Sequence, residues 1–246
     1  MKHIFSFPDS ICAREQRSAI EMKVPHNAIY DIAPASAAAE RILLLMLPGA
    51  KNTPLQLQEY GFIRALRERE LAVDVLALDA HVDLYMDRVQ VESLLHKALD
   101  EARAHGYKRI WLLGISLGGT GAMLCATQRT ADIEGLFLLA PFLGTRGLIA
   151  EVEAAGGLQH WQAGEVEARD LERALLNEIK FSRFQTEDFP DIYLGYGSED
   201  RYRAASIMLS AHLAQHQVSV MSGGHDWDTW VKLWDELLDK PSSLHE

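Results

Sequence analysis

Residues 109–122, RIWLLGISLGGTGA, constrain this chain more than any other stretch. A short apolar segment runs into Gly114-Ile115-Ser116-Leu117-Gly118, and GAMLCA follows with helical character. Passing from strand to helix over one residue forces that residue into a strained conformation and leaves its side chain standing clear. Gly114 and Gly118 let the two backbones approach, while Gly119 and Gly121 keep the first helical turn thin against a sheet. The string G-x-S-x-G also occurs as a plain glycine-rich turn with an incidental serine. Its setting between a strand and a helix favours a serine placed for nucleophilic attack.

Such a serine needs a base and a group to orient that base. Asp191–Gly197, DIYLGYG, reads as a buried strand followed directly by Ser198-Glu199-Asp200. Residues 217–221, QVSVM, read as the last strand, followed by Ser222-Gly223-Gly224-His225-Asp226-Trp227. Groups just past the carboxyl ends of strands in an open parallel sheet converge on one rim, so Ser116, Asp200 and His225 share an address. Glu199 and Asp226 compete for the role of the acid. Asp226 would have to fold back on its neighbour, and reads better as the N-cap of the helix that contains TWVKLW.

Around these landmarks strands and helices alternate, which predicts a mostly parallel sheet. Strands are expected at 41–47, 73–78, 109–115 and 135–139 besides the two above, with helices near 55–68, 89–104, 203–215 and 227–239. Before residue 40, FSF and AIYDI are candidate antiparallel edge strands, and APASAAA at 33–39 is a loose connection. Residues 144–190 carry two helix-like stretches, near 147–155 and 165–178, where one crossover would suffice. An insertion there would lie over the rim, with Trp161, Phe181 and Phe184 either lining an acyl pocket or pinning the insertion to the core. The stripe Trp227, Trp230 and Trp234 reads as core packing, except that Trp227 abuts His225. Asp79, His81 and Asp83 follow a strand and reach the same rim. Their spacing, without a second cluster, reads as solvated loop polarity rather than a metal site, although His81 is placed to touch a substrate.

At 246 residues, 48% apolar and 24% charged, the chain suffices for one well-buried domain over 1–246, with 144–190 as a helical insertion or cap within it. A net charge of −11 argues against nucleic acid and anionic membranes as partners. The two cysteines, Cys12 and Cys125, lie too far apart in sequence to suggest a disulfide scaffold or zinc site, and a reducing compartment follows. MKHIFSFPDS has too short an apolar run for a signal-peptide core, and no stretch reaches transmembrane length, so a cytoplasmic protein is expected.

The elbow Gly114-Ile115-Ser116-Leu117-Gly118-Gly119, the turn Gly197-Ser198-Glu199-Asp200, and Gly223-Gly224-His225-Asp226-Trp227 with Trp230 together resemble the α/β-hydrolases. Within that superfamily they look most like the esterase D and enterochelin-esterase-like carboxylesterases, and the element order is similar over roughly residues 40–240. The resemblance implies an α/β-hydrolase fold with about eight strands, flanked by helices, and a small helical insertion before the strand carrying the acid. It implies a triad of Ser116, His225 and Asp200, the last being preferred because it falls three residues after Gly197 as in the family pattern. The acid's other known position, after the strand at 135–139, is excluded because residues 135–150 hold no carboxylate. Backbone N–H groups of Leu117 and Ala50 would form the oxyanion hole, although Leu47-Pro48-Gly49-Ala50 stands where many relatives have His-Gly. The candidate substrate contacts are Lys51, His81, Phe142, Trp161 and Trp227. The expected activity is hydrolysis of carboxylic esters of small or medium acyl groups, without metal or organic cofactor, by a monomer or homodimer. A thioesterase or acyltransferase with the same triad, and a non-catalytic binding protein of this fold, are the alternatives.

Overall fold

The computed structural model describes residues 27–34, 41–167, 169–182 and 188–245. Its strands are β1 (Ile29–Asp31), β2 (Ile42–Leu47), β3 (Val73–Ala77), β4 (Arg109–Ile115), β5 (Gly135–Leu139), β6 (Asp191–Gly197) and β7 (Val218–Met221). They form one seven-stranded sheet in the order β1-β3-β2-β4-β5-β6-β7. Among the described strands only β1 runs antiparallel, pairing Tyr30 with Leu76 on β3. AIYDI thus supplies an edge strand, and FSF lies outside the described residues. Every residue of β2, ILLLML, is buried, as befits a central strand covered on both faces.

The helices are α1 (Pro54–Glu59), α2 (Phe62–Glu68), α3 (Arg88–Ala104), α4 (Leu117–Gln128), α5 (Arg146–Ala154), α6 (Leu171–Phe181), α7 (Arg203–Ser210) and α8 (Trp227–Leu238). One face of the sheet packs against α1, α2 and α8 through Leu57, Phe62, Leu66, Leu233 and Trp234. The other packs against α3 to α7, with Leu95, Leu99, Met123, Leu175 and Leu209 in its core.

Three helices depart from the sequence expectation. The single helix near 55–68 is two, because Gly61 adopts a left-handed φ of 84° that interrupts the helical path. The helix expected from 165 begins only at Leu171, where Asp170 accepts the Arg173 N–H (2.9 Å) as N-cap. The helix expected to reach 215 ends at Ser210. Cys125 is buried on α4, which pushes its thiol up to about 12; Cys12 lies outside the described residues.

A buried acid anchors the β1 edge. Asp74 on β3 accepts from the Ala33 N–H (2.8 Å), the Tyr107 hydroxyl (2.6 Å) and the Arg41 guanidinium, and Tyr107 meets the Tyr30 hydroxyl (2.7 Å). Asp74→Ala strips three donors of their acceptor at a site 1% exposed. It is expected to cost about 3 kcal/mol in urea denaturation, and a loss below about 1 kcal/mol would show that the edge is held by other contacts.

Candidate active site

Strand β4 and helix α4 meet at Ser116, whose φ of 51° and ψ of −115° lie where an L-residue is strained. Its backbone is held from both sides. The Ser116 N–H donates to Leu139 O (2.9 Å), and its carbonyl accepts from the Gly119 N–H (2.9 Å) and the Phe142 N–H (2.8 Å). The turn closes because its neighbours lack side chains: a Cβ on Gly114 would sit 2.5 Å from Gly118 O, and one on Gly118 would drive into the carbonyl of Leu47 on β2. With its backbone fixed, Ser116 points Oγ at His225 Nε2, 2.8 Å away.

His225 comes from the turn after β7 and Asp200 from the turn after β6. These two turns press together so closely that a Cβ on Gly197 would collide with Gly223 O. Asp200, 1% exposed, accepts the Tyr202 N–H on Oδ1 (2.7 Å) and meets His225 Nδ1 with Oδ2 (2.7 Å). A carboxylate only accepts, so Nδ1 carries the proton and Nε2 is left to accept from the serine hydroxyl. The imidazole is flanked edge-on by Trp230 (centroids 5.1 Å, 89°) and Tyr202 (5.0 Å, 74°). The competing acids face elsewhere. Glu199 accepts from Ser198 Oγ (2.9 Å) and Ser222 Oγ (3.1 Å), and these hydroxyls, Ser198 first, hold its carboxyl below the usual range. Asp226 caps α8, accepting from Thr229 N–H (3.0 Å) and Oγ1 (2.9 Å); the backbone bond does most to lower it.

The loop after β2 lies against the elbow, with Gly49 so placed that a Cβ on it would be 3.5 Å from Ser116 Cβ. The Ala50 and Leu117 N–H groups find no protein acceptor among the described residues, and both residues border a cleft of about 1120 Å³ that opens over Ser116. Leu117 heads α4, so the positive end of that helix faces the serine. Its apolar lining includes Val82, Tyr85, Met86, Phe142 and Leu171. Trp227 also lines it, stacked on Tyr60 (4.2 Å, 5°). The cleft sits where the strand order reverses about β2, the switch point at which open α/β sheets bind ligands.

No family model matches the chain, and no curated protein matches it in sequence. Solved structures do match. Est1E from Butyrivibrio proteoclasticus is 17% identical, with 85% of this chain and 89% of that one covered at a TM-score of 0.61. An S-formylglutathione hydrolase from Agrobacterium tumefaciens is 16% identical over 86% and 87% of the two chains, TM-score 0.58. FphF, a fluorophosphonate-binding serine hydrolase of Staphylococcus aureus, is 14% identical over 82% and 83%, TM-score 0.58. The chain has the α/β-hydrolase fold. Identities this low speak to the fold, and the roles of individual residues rest on the geometry.

Within the α/β-hydrolase fold, the structure brings Ser116, His225 and Asp200 into one hydrogen-bonded chain and places Ala50, Leu117, Lys51, Phe142 and Trp227 at the cleft. Two expected substrate contacts do not line it. Trp161 is buried under the α5–α6 segment, where its indole N–H donates to Glu151 Oε1 (2.8 Å) and Arg173 lies over its ring (5.4 Å). His81 faces solvent, its Nδ1 3.7 Å from Asp83. Phe181 is exposed, and Phe184 lies outside the described residues. Sequence reasoning missed Tyr85, Tyr202 and Arg169 at the cleft. Tyr202 had a signal, standing two residues after the acid on the same rim. Tyr85 had none, since a short turn after β3 and the missing side chain of Gly121 decide where its ring goes. Trp230, read as core, is both buried and part of the cleft wall.

Proposed function

We propose that this chain is a serine hydrolase that cleaves carboxylic esters of small or medium acyl groups through an acyl-enzyme. The reading rests on one observation, the continuous relay from Ser116 Oγ through the His225 ring to Asp200 at 2.8 and 2.7 Å. Ser116 Oγ attacks the ester carbonyl as its proton passes to His225 Nε2. The tetrahedral oxyanion is held by the Leu117 N–H at the head of α4 and the Ala50 N–H in the loop after β2. Its collapse breaks the bond to the alcohol oxygen, which takes the proton from Nε2. Water, deprotonated by the same nitrogen, then releases the acid and restores the serine. Asp200 keeps the proton of the resting ring on Nδ1 and stabilises the imidazolium.

Lys51, Phe142 and Trp227 contact the substrate in this reading. Residues 144–190 act as a cap on a single domain, since α6 brings Asp170 and Glu172 to the cleft edge. The names of the esterase and hydrolase neighbours support the assignment. Incubation with a fluorophosphonate probe should add one phosphonyl group that maps to the Ser116 peptide by mass, while the untreated protein releases phenols from short-chain aryl esters. A folded protein that does neither is not a serine hydrolase.

A further inference from the structure

We propose that the ester this cleft accepts carries an anionic group, a carboxylate or a phosphate, away from the carbonyl that is attacked. The inference rests on the hydrolase reading and names its substrate class. Across the described surface, arginines are typically engaged by acids: Arg69 by Asp235 and Asp239, Arg88 by Glu92 and Glu178, Arg129 by Asp100 and Asp132. Lys51, Arg169 and Arg201 all line the cleft, and none has an acid within ion-pair distance among the described residues. Arg201 rests on the face of Tyr202 (4.8 Å), whose ring also meets His225 and Phe142. Arg146, also without an acid partner, approaches the same ring (5.9 Å). The acid that Arg169 influences is Asp87, whose carboxyl is lowered first by the Gln90 side chain and last by that arginine's charge.

The cleft also has acids, and each is already committed at a helix N-terminus. Asp170 caps α6 and lies 3.5 Å from Arg173; Glu172, in the first turn of α6, accepts the Thr145 N–H (2.7 Å); Asp226 caps α8. Backbone donors and the positive helix ends compensate these charges where they stand. The lining cations have no acid in ion-pair contact among the described residues, so they remain open to an anion on a chain whose net charge is −11. Their exposure makes the attraction one that salt weakens.

The test compares para-nitrophenyl hemiglutarate with para-nitrophenyl pentanoate, which puts a carboxylate on the acyl side. It also compares para-acetoxyphenyl phosphate with phenyl acetate, which puts a phosphate on the alcohol side. At low salt the wild type should prefer at least one charged ester in kcat/KM by about tenfold or more. About 0.5 M sodium chloride, or the double variant Arg169→Gln, Arg201→Gln, should erase most of that preference. The arm that shows it identifies the side and the group. Equal or faster hydrolysis of both neutral esters, with ratios indifferent to salt, overturns the proposal and leaves the hydrolase reading standing. If no ester is turned over and the probe fails to label Ser116, the hydrolase reading falls instead. Calorimetry with glutarate and para-hydroxyphenyl phosphate then decides on the anion site: binding lost in the double variant supports it, and no binding to the wild type refutes it.

Discussion

Asp200→Asn should lower kcat by about 10,000-fold with little change in fold stability. The amide matches the carboxylate in size, and its oxygen continues to accept the Tyr202 N–H that now bonds Oδ1 at 2.7 Å. What changes is the atom facing the imidazole. An amide nitrogen opposite Nδ1 is a donor, so Nδ1 must accept, and the ring proton moves to Nε2. Nε2 then donates toward Ser116 Oγ instead of accepting from it, and the serine has no base. Steady-state kinetics on an aryl ester, beside a urea melt, checks both halves. A kcat within about tenfold of wild type would remove Asp200 from the triad. Glu199→Gln is the contrast: among the described residues its carboxylate accepts from Ser198, Ser222 and the Gly223 backbone and does not bond His225, so its kcat should stay within about threefold.

Gly118→Ala should be among the most damaging single substitutions in the chain, at about 4 kcal/mol or more. The obstruction is the carbonyl of Leu47, backbone of a strand buried on both faces, which no side-chain rotation relieves. For a chain of this size that corresponds to a fall in Tm of about 10 °C. Gly147→Ala supplies the control. It lies on α5 with nothing within 4 Å of where an added methyl would stand, so alanine's helix propensity should leave stability unchanged or up to about 1 kcal/mol higher. If the two variants melt alike, the close approach of α4 to β2 is not what the glycine is for.

The parts of this molecule legible in the sequence are those whose cause is local. β4 and β6 occupy the predicted residues because an unbroken apolar run ends at a small-residue turn, and that punctuation also gave the addresses of Ser116, Asp200 and His225. The break between α1 and α2 was local too, yet a single glycine inside an otherwise helical pattern is ambiguous until its φ is known. Trp161 is ambiguous in the sequence for a different reason. Whether a tryptophan in an insertion faces a cleft or the core depends on its partners, and Glu151 and Arg173 hold it inward from α5 and α6. The apolar cleft wall is likewise a product of assembly, drawing Tyr85, Phe142 and Leu171 from three separate loops or helix ends.

His225 stands 109 residues after Ser116 and beyond the last strand, with β6 and β7 laid in order on the β5 edge. A ribosome making this chain therefore finishes the elbow long before the base exists. In the proposed mechanism, a chain that stops short of β7 has the serine without its base, and its hydroxyl would be no more nucleophilic than that of any other alcohol. On that reading the turn after β7 is the last element the site requires.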